Sequence, residues 1–393
     1  MPTGRVFTTG QMAALARKRL PRAIFDFVEG GAGSEAAVAR NRARFEQIAL
    51  MPQALRDCSA AHSEVTIFGR RYAAPFGIAP MGFADLVRPG TDRALAAAAK
   101  AQNIPYVLST AATTSIETIA AIAQDNLWFQ LYPGSDEPMA ATLMERALKA
   151  GVTTLVATID IPVPGKRPRD LVNGLAIPLR PSLRTVLDVA MHPAWGLRAL
   201  LGERLGMANF VENKGSLSGL AHAEFVSRQL SSAGLDWKRI ERIRQAWPHH
   251  LVIKGILNPQ DAVMAERIGA DGIVVSNHGG RQLDSAPASI EVLPAIREAC
   301  GDRLTLILDS GVRSGDDIAR SLACGADFVL LGRPFLFAVA ALGLARGPDA
   351  IIDILRAEFL NTLIHLGCAD PTELRSDHLW PENHLSLRQG SNR

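Results

Sequence analysis

His278 and Arg281 sit close together in the string Ser276-Asn277-His278-Gly279-Gly280-Arg281-Gln282-Leu283-Asp284, directly after the apolar run Gly272-Ile273-Val274-Val275. An apolar run that breaks into His, two glycines and Arg reads as a buried strand ending in a tight loop that presents a base beside a cation. Such a pair suits proton transfer on an anionic substrate. Taken alone, the string is matched as well by a core histidine beside a surface arginine, so the weight falls on what other segments place around it.

Other apolar runs end the same way. Candidate strands cover residues 75–80, 105–110, 127–132, 154–160, 250–255, 272–277, 305–310 and 328–333. Their ends carry Pro80-Met81-Gly82, Ser109-Thr110, Gln130 with Tyr132, Thr158 with Asp160, Lys254, Ser276 with His278 and Arg281, Asp309 with Gly311 and Arg313, and Gly332-Arg333. One polar strand end is ordinary punctuation. A polar group at nearly every end, on strands whose bodies are apolar, describes a ring around one mouth. The last two ends add a second signal, since glycines, backbone amides and arginines after strands 7 and 8 are where phosphate docks in barrels. These loops imply a phosphorylated ligand; the plainer alternative is glycine for tight turns with surface arginines.

Helical patterns fill the gaps at residues 92–103, 115–123, 136–150, 237–247, 259–268, 289–299, 314–323 and 348–366. Several open on Asp or Ser and end before glycine, as at Gly151, Gly269, Gly301 and Gly325. Eight βα units predict an α/β fold of the closed (β/α)8 TIM-barrel type, taken as a single domain over residues 1–393. Within it, residues 1–74 form an N-terminal helical cap, 75–367 the barrel and 368–393 a tail. The cap reads as helical over residues 10–47, with breaks at Leu20-Pro21 and Gly30-Gly31 and with Phe25, Phe27 and Val28 on its apolar side. Residues 161–235 make an insertion after strand 4, too long for an ordinary βα loop. Its middle, residues 182–210, mixes Leu183, Val186, Leu187, Met191, Trp195, Leu197, Leu200, Leu201, Leu205 and Met207 with Arg184, Arg198 and Arg204. That composition fits a membrane interface, and equally a lid or a subunit contact.

Composition bounds the partners. With 393 residues, 48% apolar and 21% charged, the chain has ample core for a globular enzyme, and a net charge of +3 without like-charge runs argues against nucleic acid. Cys58, Cys300, Cys324 and Cys368 lie far apart with neither C-x-x-C nor zinc spacing, which reads as reduced thiols and no metal site. Neither a signal peptide nor a membrane span is evident, so a cytoplasmic protein is expected.

Together these strings resemble the FMN-dependent 2-hydroxy acid dehydrogenase and oxidase family, from Leu20-Pro21 through the C-terminal helix, with Ser276–Asp284 a highly specific signature. Leu127-Trp128-Phe129-Gln130-Leu131-Tyr132, Trp247-Pro248-His249 and Ile364-His365-Leu366-Gly367-Cys368 point within it toward the bacterial membrane-associated lactate and mandelate dehydrogenases. The resemblance implies FMN and the oxidation of an (S)-2-hydroxy acid to a 2-oxo acid, with electrons passing to quinone, another carrier or oxygen. It implies that His278 is the base and Asp160 the carboxylate that stabilises the imidazolium. Arg281 and Arg167 would grip the substrate carboxylate and Tyr132 its hydroxyl, with Lys254 beside the flavin as a cation. The backbone of Ala79, Pro80, Met81 and Gly82, with Ser109, Gln130 and Thr158, would hold the isoalloxazine ring, and Ser276 would also bind the cofactor. Asp309, Gly311, Arg313, Gly332 and Arg333 would hold the ribityl phosphate. A homotetramer, with peripheral contact to the inner face of the cell membrane, is also implied. Two other readings stay open on the residues: an FMN barrel acting on an atypical or phosphorylated substrate, and a non-catalytic flavin-binding module.

One position departs from the pattern. The family's Tyr-Asp-Tyr string near the N-terminus is here Phe25-Asp26-Phe27. Phe27 keeps the ring and loses the hydroxyl, removing a substrate hydrogen bond worth roughly 0.5 to 1.5 kcal/mol. Either the two arginines carry the carboxylate alone, or the substrate is bulkier than usual, with Gly82 leaving room.

Overall fold

The computed structural model describes residues 6–174, 183–202, 206–211, 231 and 233–380. Eight parallel strands close into a barrel: β3 (Phe76–Ile78), β4 (Tyr106–Ser109), β5 (Leu127–Leu131), β6 (Thr154–Thr158), β7 (His250–Ile256), β8 (Gly272–Val275), β9 (Thr305–Leu308) and β10 (Phe328–Leu331), with β10 pairing back onto β3. The expected TIM barrel is what forms. The two-residue period of a strand separates its two faces. Val107, Val156, Val252, Val274 and Ile307 point into the barrel, while their neighbours Leu108, Leu155, Leu251, Ile273 and Leu306 pack outward into the main core. All ten are fully buried, each a contribution of about 1.5–3 kcal/mol.

The far end of the barrel is plugged by a hairpin the sequence reading did not contain, β1 (Val65–Ile67) against β2 (Arg70–Tyr72). Its two-residue turn, Phe68-Gly69, has φ of 50° and 72°, the left-handed pair that favours a twisted hairpin. Tyr72 lies among Trp128 and Phe328, and Trp128 Nε1 donates to its hydroxyl at 3.1 Å. With this floor sealed, ligands enter from the opposite mouth.

Helix ends follow the expected caps within about two residues. Ser115, Asp136, Asp236 and Ser314 each accept a backbone N–H of the first turn. A helix at Arg333–Leu342 went unread; its run is apolar all round and carries no 3.6-residue period. The N-terminal cap is three helices, Thr9–Arg19, Arg22–Glu29 and Ala36–Gln47, interrupted at Pro21 and Gly30 as expected. The third rests on the His278 loop. Asn41 and Asn277 exchange two hydrogen bonds of 2.9 and 2.7 Å, and Asp284 accepts from Ser34 N, Ser34 Oγ and Ala37 N at 2.7 to 3.0 Å.

The insertion forms helices Leu183–Ala190, Pro193–Leu201 and Ala208–Val211. Met207 and Phe210 are buried, and Asn209 Oδ1 accepts from Ile116 N at 3.0 Å, so this part is seated on the barrel. The first two helices instead turn Val186, Leu187, Met191, Leu197, Leu200 and Leu201 outward. Ser182, Arg204 and Leu205 lie outside the described residues, as do the side chains of Leu183 and Arg184. No helix among the described residues is long and apolar enough to cross a membrane.

Candidate active site

His278 follows β8 on a backbone with φ of 57°, a left-handed conformation that costs a non-glycine residue about 1–2 kcal/mol. Flanking bonds hold it there. Ser276 Oγ accepts from His278 N at 3.0 Å, and Ser310 Oγ accepts from Gly279 N at 2.8 Å. The ring's Nδ1 meets Asp160 Oδ1 at 2.9 Å, so the carboxylate holds the Nδ1–H and leaves the Nε2 lone pair for a substrate proton. Gly255, at φ of 109°, lies so close to Asp160 that any Cβ would fall 2.4 Å from the Asp160 Cβ; glycine is required there.

Lys254 joins the same cluster. Its Nζ donates to Ser276 Oγ at 2.8 Å and lies 3.1 Å from Asp309 Oδ2 and 3.8 Å from Asp160 Oδ2. Burial alone would pull the ammonium's pKa down, but Asp309 and Asp160 outweigh it and raise it above the usual value. Burial likewise works against the Asp160 carboxylate, yet His278 and Lys254 hold its pKa below the usual range. Both groups therefore stay charged at neutral pH.

Strand register aligns the next four side chains. Ser109 pairs with Gln130 across β4 and β5, and Thr158 pairs with Lys254 across β6 and β7. Ser109 Oγ donates to Gln130 Oε1 at 3.0 Å. Gln130 Nε2 and Thr158 Oγ1 remain buried without a hydrogen-bond partner among the described residues, at a cost of about 1–3 kcal/mol each unless a ligand completes them.

The arginines gather over Phe27. Arg281 Cζ stands 5.3 Å and Arg167 Cζ 5.6 Å from the centre of its ring. Arg281 Nη1 donates to the carbonyls of Phe27 and Gly30 at 2.8 and 2.9 Å, leaving Nε and Nη2 of the fork for a carboxylate. Burial, then the nearby Arg167 and Arg333, draws the Arg281 pKa down to about 9, so an anion placed here relieves repulsion as well as filling the fork. Arg167 comes from the insertion, whose entry is fixed where Gly165 N donates to Gln282 Oε1 at 2.9 Å. Tyr132 stands beside these groups, and burial and Asp160 raise its phenol pKa, keeping it a proton donor.

At the phosphate end, Gly332 opens helix Arg333–Leu342 and Gly311 has φ of 98°, with Asn41 O only 2.9 Å from where a Cβ would lie. Arg313 is drawn down to about 10 by burial and then Arg42. Arg333 is more committed than expected: Nε, Nη1 and Nη2 donate to the carbonyls of Val28, Gly279 and Gly30 at 2.9 to 3.0 Å, which leaves two of its N–H groups for a phosphate. Two contributors went unread. Ser310 Oγ, which also donates to Asp309 Oδ1 at 2.8 Å, ties the phosphate end to the His278 loop. Asp170 is a buried carboxylate 3.1 Å from Arg167 Nε. Neither burial nor partner can be read from a lone Ser in a loop or a lone Asp in the short helix Pro168–Val172.

A closed barrel whose strand ends bring together a base, its carboxylate, a buried lysine, paired arginines and a phosphate cradle defines a barrel oxidoreductase of the flavin-binding type. The family of FMN-dependent dehydrogenases matches residues 16–381, and the chain belongs to it. (S)-Mandelate dehydrogenase of Pseudomonas putida is 40% identical over 377 residues, covering 96% of this chain and 94% of that protein. L-Lactate dehydrogenase of Caulobacter vibrioides is 40% identical over 366 residues, covering 93% of this chain and 95% of that one. The crystal structure of the monotopic membrane protein (S)-mandelate dehydrogenase superposes with a TM-score of 0.91 at 40% identity, over 96% of this chain and 100% of that chain.

The cofactor of this enzyme is FMN. The residues fit it: the orphaned Gln130 Nε2 and Thr158 Oγ1 would be completed by the polar edge of a flavin ring, Lys254 would supply a cation beside it, and the uncommitted N–H groups of Arg333 would be available to its phosphate.

Proposed function

We propose that this FMN enzyme oxidises an (S)-2-hydroxy acid to the 2-oxo acid, with His278 as the base. The observation that carries the reading is the 2.9 Å bond from His278 Nδ1 to Asp160, beside two arginines gathered over Phe27. Arg281 and Arg167 bind the substrate carboxylate and so fix which face of the α-carbon is presented. Tyr132 donates to the substrate hydroxyl. His278 takes the substrate's proton at Nε2, and Asp160 stabilises the resulting imidazolium. FMN, when bound, supplies the two-electron acceptor. Lys254 holds positive charge where negative charge then develops. Anaerobic mixing of the purified yellow protein with a panel of 2-hydroxy acids tests the reading. Loss of flavin absorbance with at least one (S)-acid supports it, and no bleaching by any of them refutes it.

The exposed apolar face of helices Leu183–Ala190 and Pro193–Leu201 supports peripheral docking on the inner face of the cell membrane, with quinone as the electron acceptor. The likeness to a monotopic membrane protein points the same way. A homotetramer belongs to the same proposal, and sedimentation of the holoenzyme tests it.

A further inference from the structure

Asp92 lies in the first turn of helix Thr91–Ala101 with no exposed surface, and the chemistry proposed for the mouth makes no use of it. Its carboxylate is nonetheless fully engaged. Oδ1 accepts from the Tyr106 hydroxyl at 3.0 Å, and Oδ2 accepts from Thr113 N and Thr113 Oγ1 at 3.1 and 2.9 Å. Three donors converge on two oxygens, an arrangement that suits the ionised form, because a proton on either oxygen would face a group that is already donating.

Ionising the group there is costly. Burial, then Asp85, raises the Asp92 pKa to about 6, and Asp85 Oδ1 also accepts from Asp92 N at 3.0 Å. The titratable groups that act on Asp92 are Asp85, on the short helix Ala84–Leu86, and Tyr106, on β4. Burial, then Asp92, raises the Tyr106 phenol, so it stays neutral and remains a donor.

The segment that Asp92 holds joins several parts of the mouth. In the connection after β4, Thr110 Oγ1 accepts from Tyr132 N at 3.1 Å, fixing the backbone of the residue proposed to meet the substrate hydroxyl. Ala111 N donates to Ser109 Oγ at 3.1 Å, and Ala111 O accepts from Phe83 N at 3.1 Å. The Ala111 Cβ lies 3.1 Å from where a Cβ on Gly82 would fall. Ala112 O accepts from Ala208 N at 3.2 Å, which seats the returning end of the insertion. Thr113 follows directly, so the pull of the carboxylate on Thr113 is transmitted along a run of residues with little freedom to shift independently.

We propose that Asp92 is a positioning residue for the reaction: its carboxylate anchors the connection after β4, and uptake of a proton slackens that anchor, so that a group outside the mouth slows the enzyme on the acid side. The inference rests on the reading of the mouth above and adds a control by pH that does not pass through the base.

The test compares the native holoenzyme with Asp92→Asn, nearly isosteric and equivalent to the protonated form, and with Thr113→Val, which removes one donor to the carboxylate. Anaerobic flavin reduction by an (S)-2-hydroxy acid should be about tenfold slower in Asp92→Asn at about pH 8 and should converge on the native rate by about pH 5. His278 is present in both proteins, so its titration cancels from the ratio. Thr113→Val should slow reduction a few-fold, and the double variant should be about as slow as Asp92→Asn, as expected of two changes in one link. Two readouts need no substrate. The visible circular dichroism of the bound FMN should change with pH in the native protein relative to Asp92→Asn. A carboxyl whose pKa is raised on folding stabilises below its unfolded value and loses that contribution as pH rises through its folded one, so the melting temperature of Asp92→Asn should gain on the native one between about pH 5 and pH 7. A rate ratio that stays constant with pH, or losses that multiply in the double variant, overturns the proposal and leaves Asp92 a structural group. A melting difference that does not move with pH overturns it as well, since Asp92 then does not titrate in this range. If no 2-hydroxy acid bleaches the native flavin, the reading of the reaction fails, and the anchor stands or falls on the pH-dependent difference between the two dichroism spectra.

Discussion

At the barrel mouth, charged side chains are buried; on the insertion, apolar side chains are exposed. Asp160, Lys254 and Asp309 lie within a single hydrogen-bonded cluster, and each is held by an opposite charge. Leu197, Leu200 and Leu201 stand in the open. Either arrangement is unusual on a protein surface or core, and each becomes favourable through what it meets. The mouth is completed by a small polar ligand and therefore must be rigid before that ligand arrives. On the docking proposed above, the insertion would instead meet a broad surface and need only present apolar area. Substitutions at the mouth should therefore alter chemistry with little change in partition to membranes, and substitutions on the insertion should do the reverse.

The sharpest separation comes from Asp160→Asn. It removes the charge that stabilises the imidazolium and should slow flavin reduction by about a hundredfold or more, with vesicle binding unchanged. Rapid mixing under anaerobic conditions measures the first and flotation the second. Replacing Leu183–Leu201 by a short Gly/Ser linker should produce the mirror image, a roughly tenfold or larger loss of vesicle binding with flavin reduction retained. If the linker variant instead loses substrate reduction, the insertion helps build the mouth and the two regions are not separable.

The charged cluster also predicts an acid limb. Asp160 is held below its ordinary pKa, so its stabilising contribution is present above the unfolded value of about 4 and is lost as pH falls through the folded one. Asp92, raised to about 6 by burial and then Asp85, acts in the opposite direction, so the informative quantity is the difference between two curves. The melting temperature of Asp160→Asn should fall less than the native one below about pH 4. Lys254, raised by Asp309 and Asp160, contributes fully below its unfolded value and should not limit stability until strongly alkaline pH. Parallel acid limbs in native and variant protein would remove the carboxylate from this role.

Phe27→Tyr is expected to have the smallest effect. With the two arginines placing the carboxylate, a restored hydroxyl should tighten substrate binding by about 0.5 to 1.5 kcal/mol, a few-fold in KM, at unchanged turnover. If the space around Phe27 serves an apolar substituent, the buried hydroxyl lacks a partner and both parameters worsen. The split between KM and kcat decides which.

How much of this was legible follows from the range over which each signal acts. The eight strands and their polar ends could be read because each apolar run and its terminus are contiguous, and Ser115, Asp136, Asp236 and Ser314 announced their helices locally. His278 could be read as a base from its own loop, the roles of Asp160 and Lys254 came from the family resemblance, and the structure brings the three together. The hairpin at Val65–Tyr72 was missed because three-residue strands carry too little alternation to register. Asp170 and Ser310 were missed for a different reason. What matters in each is its burial and its partner, the first beside Arg167 and the second between two strand ends, and a lone Asp or Ser in the sequence announces neither.

The most direct test of the central claim is the rate at which substrate bleaches the flavin in His278→Ala, measured by anaerobic stopped flow beside the native enzyme. The base lies away from the phosphate cradle, so the variant should retain its FMN and reduce it about a hundredfold to ten-thousandfold more slowly. A variant that holds FMN and bleaches at the native rate would contradict the assignment of His278 as the base and, with it, the reading of the whole mouth.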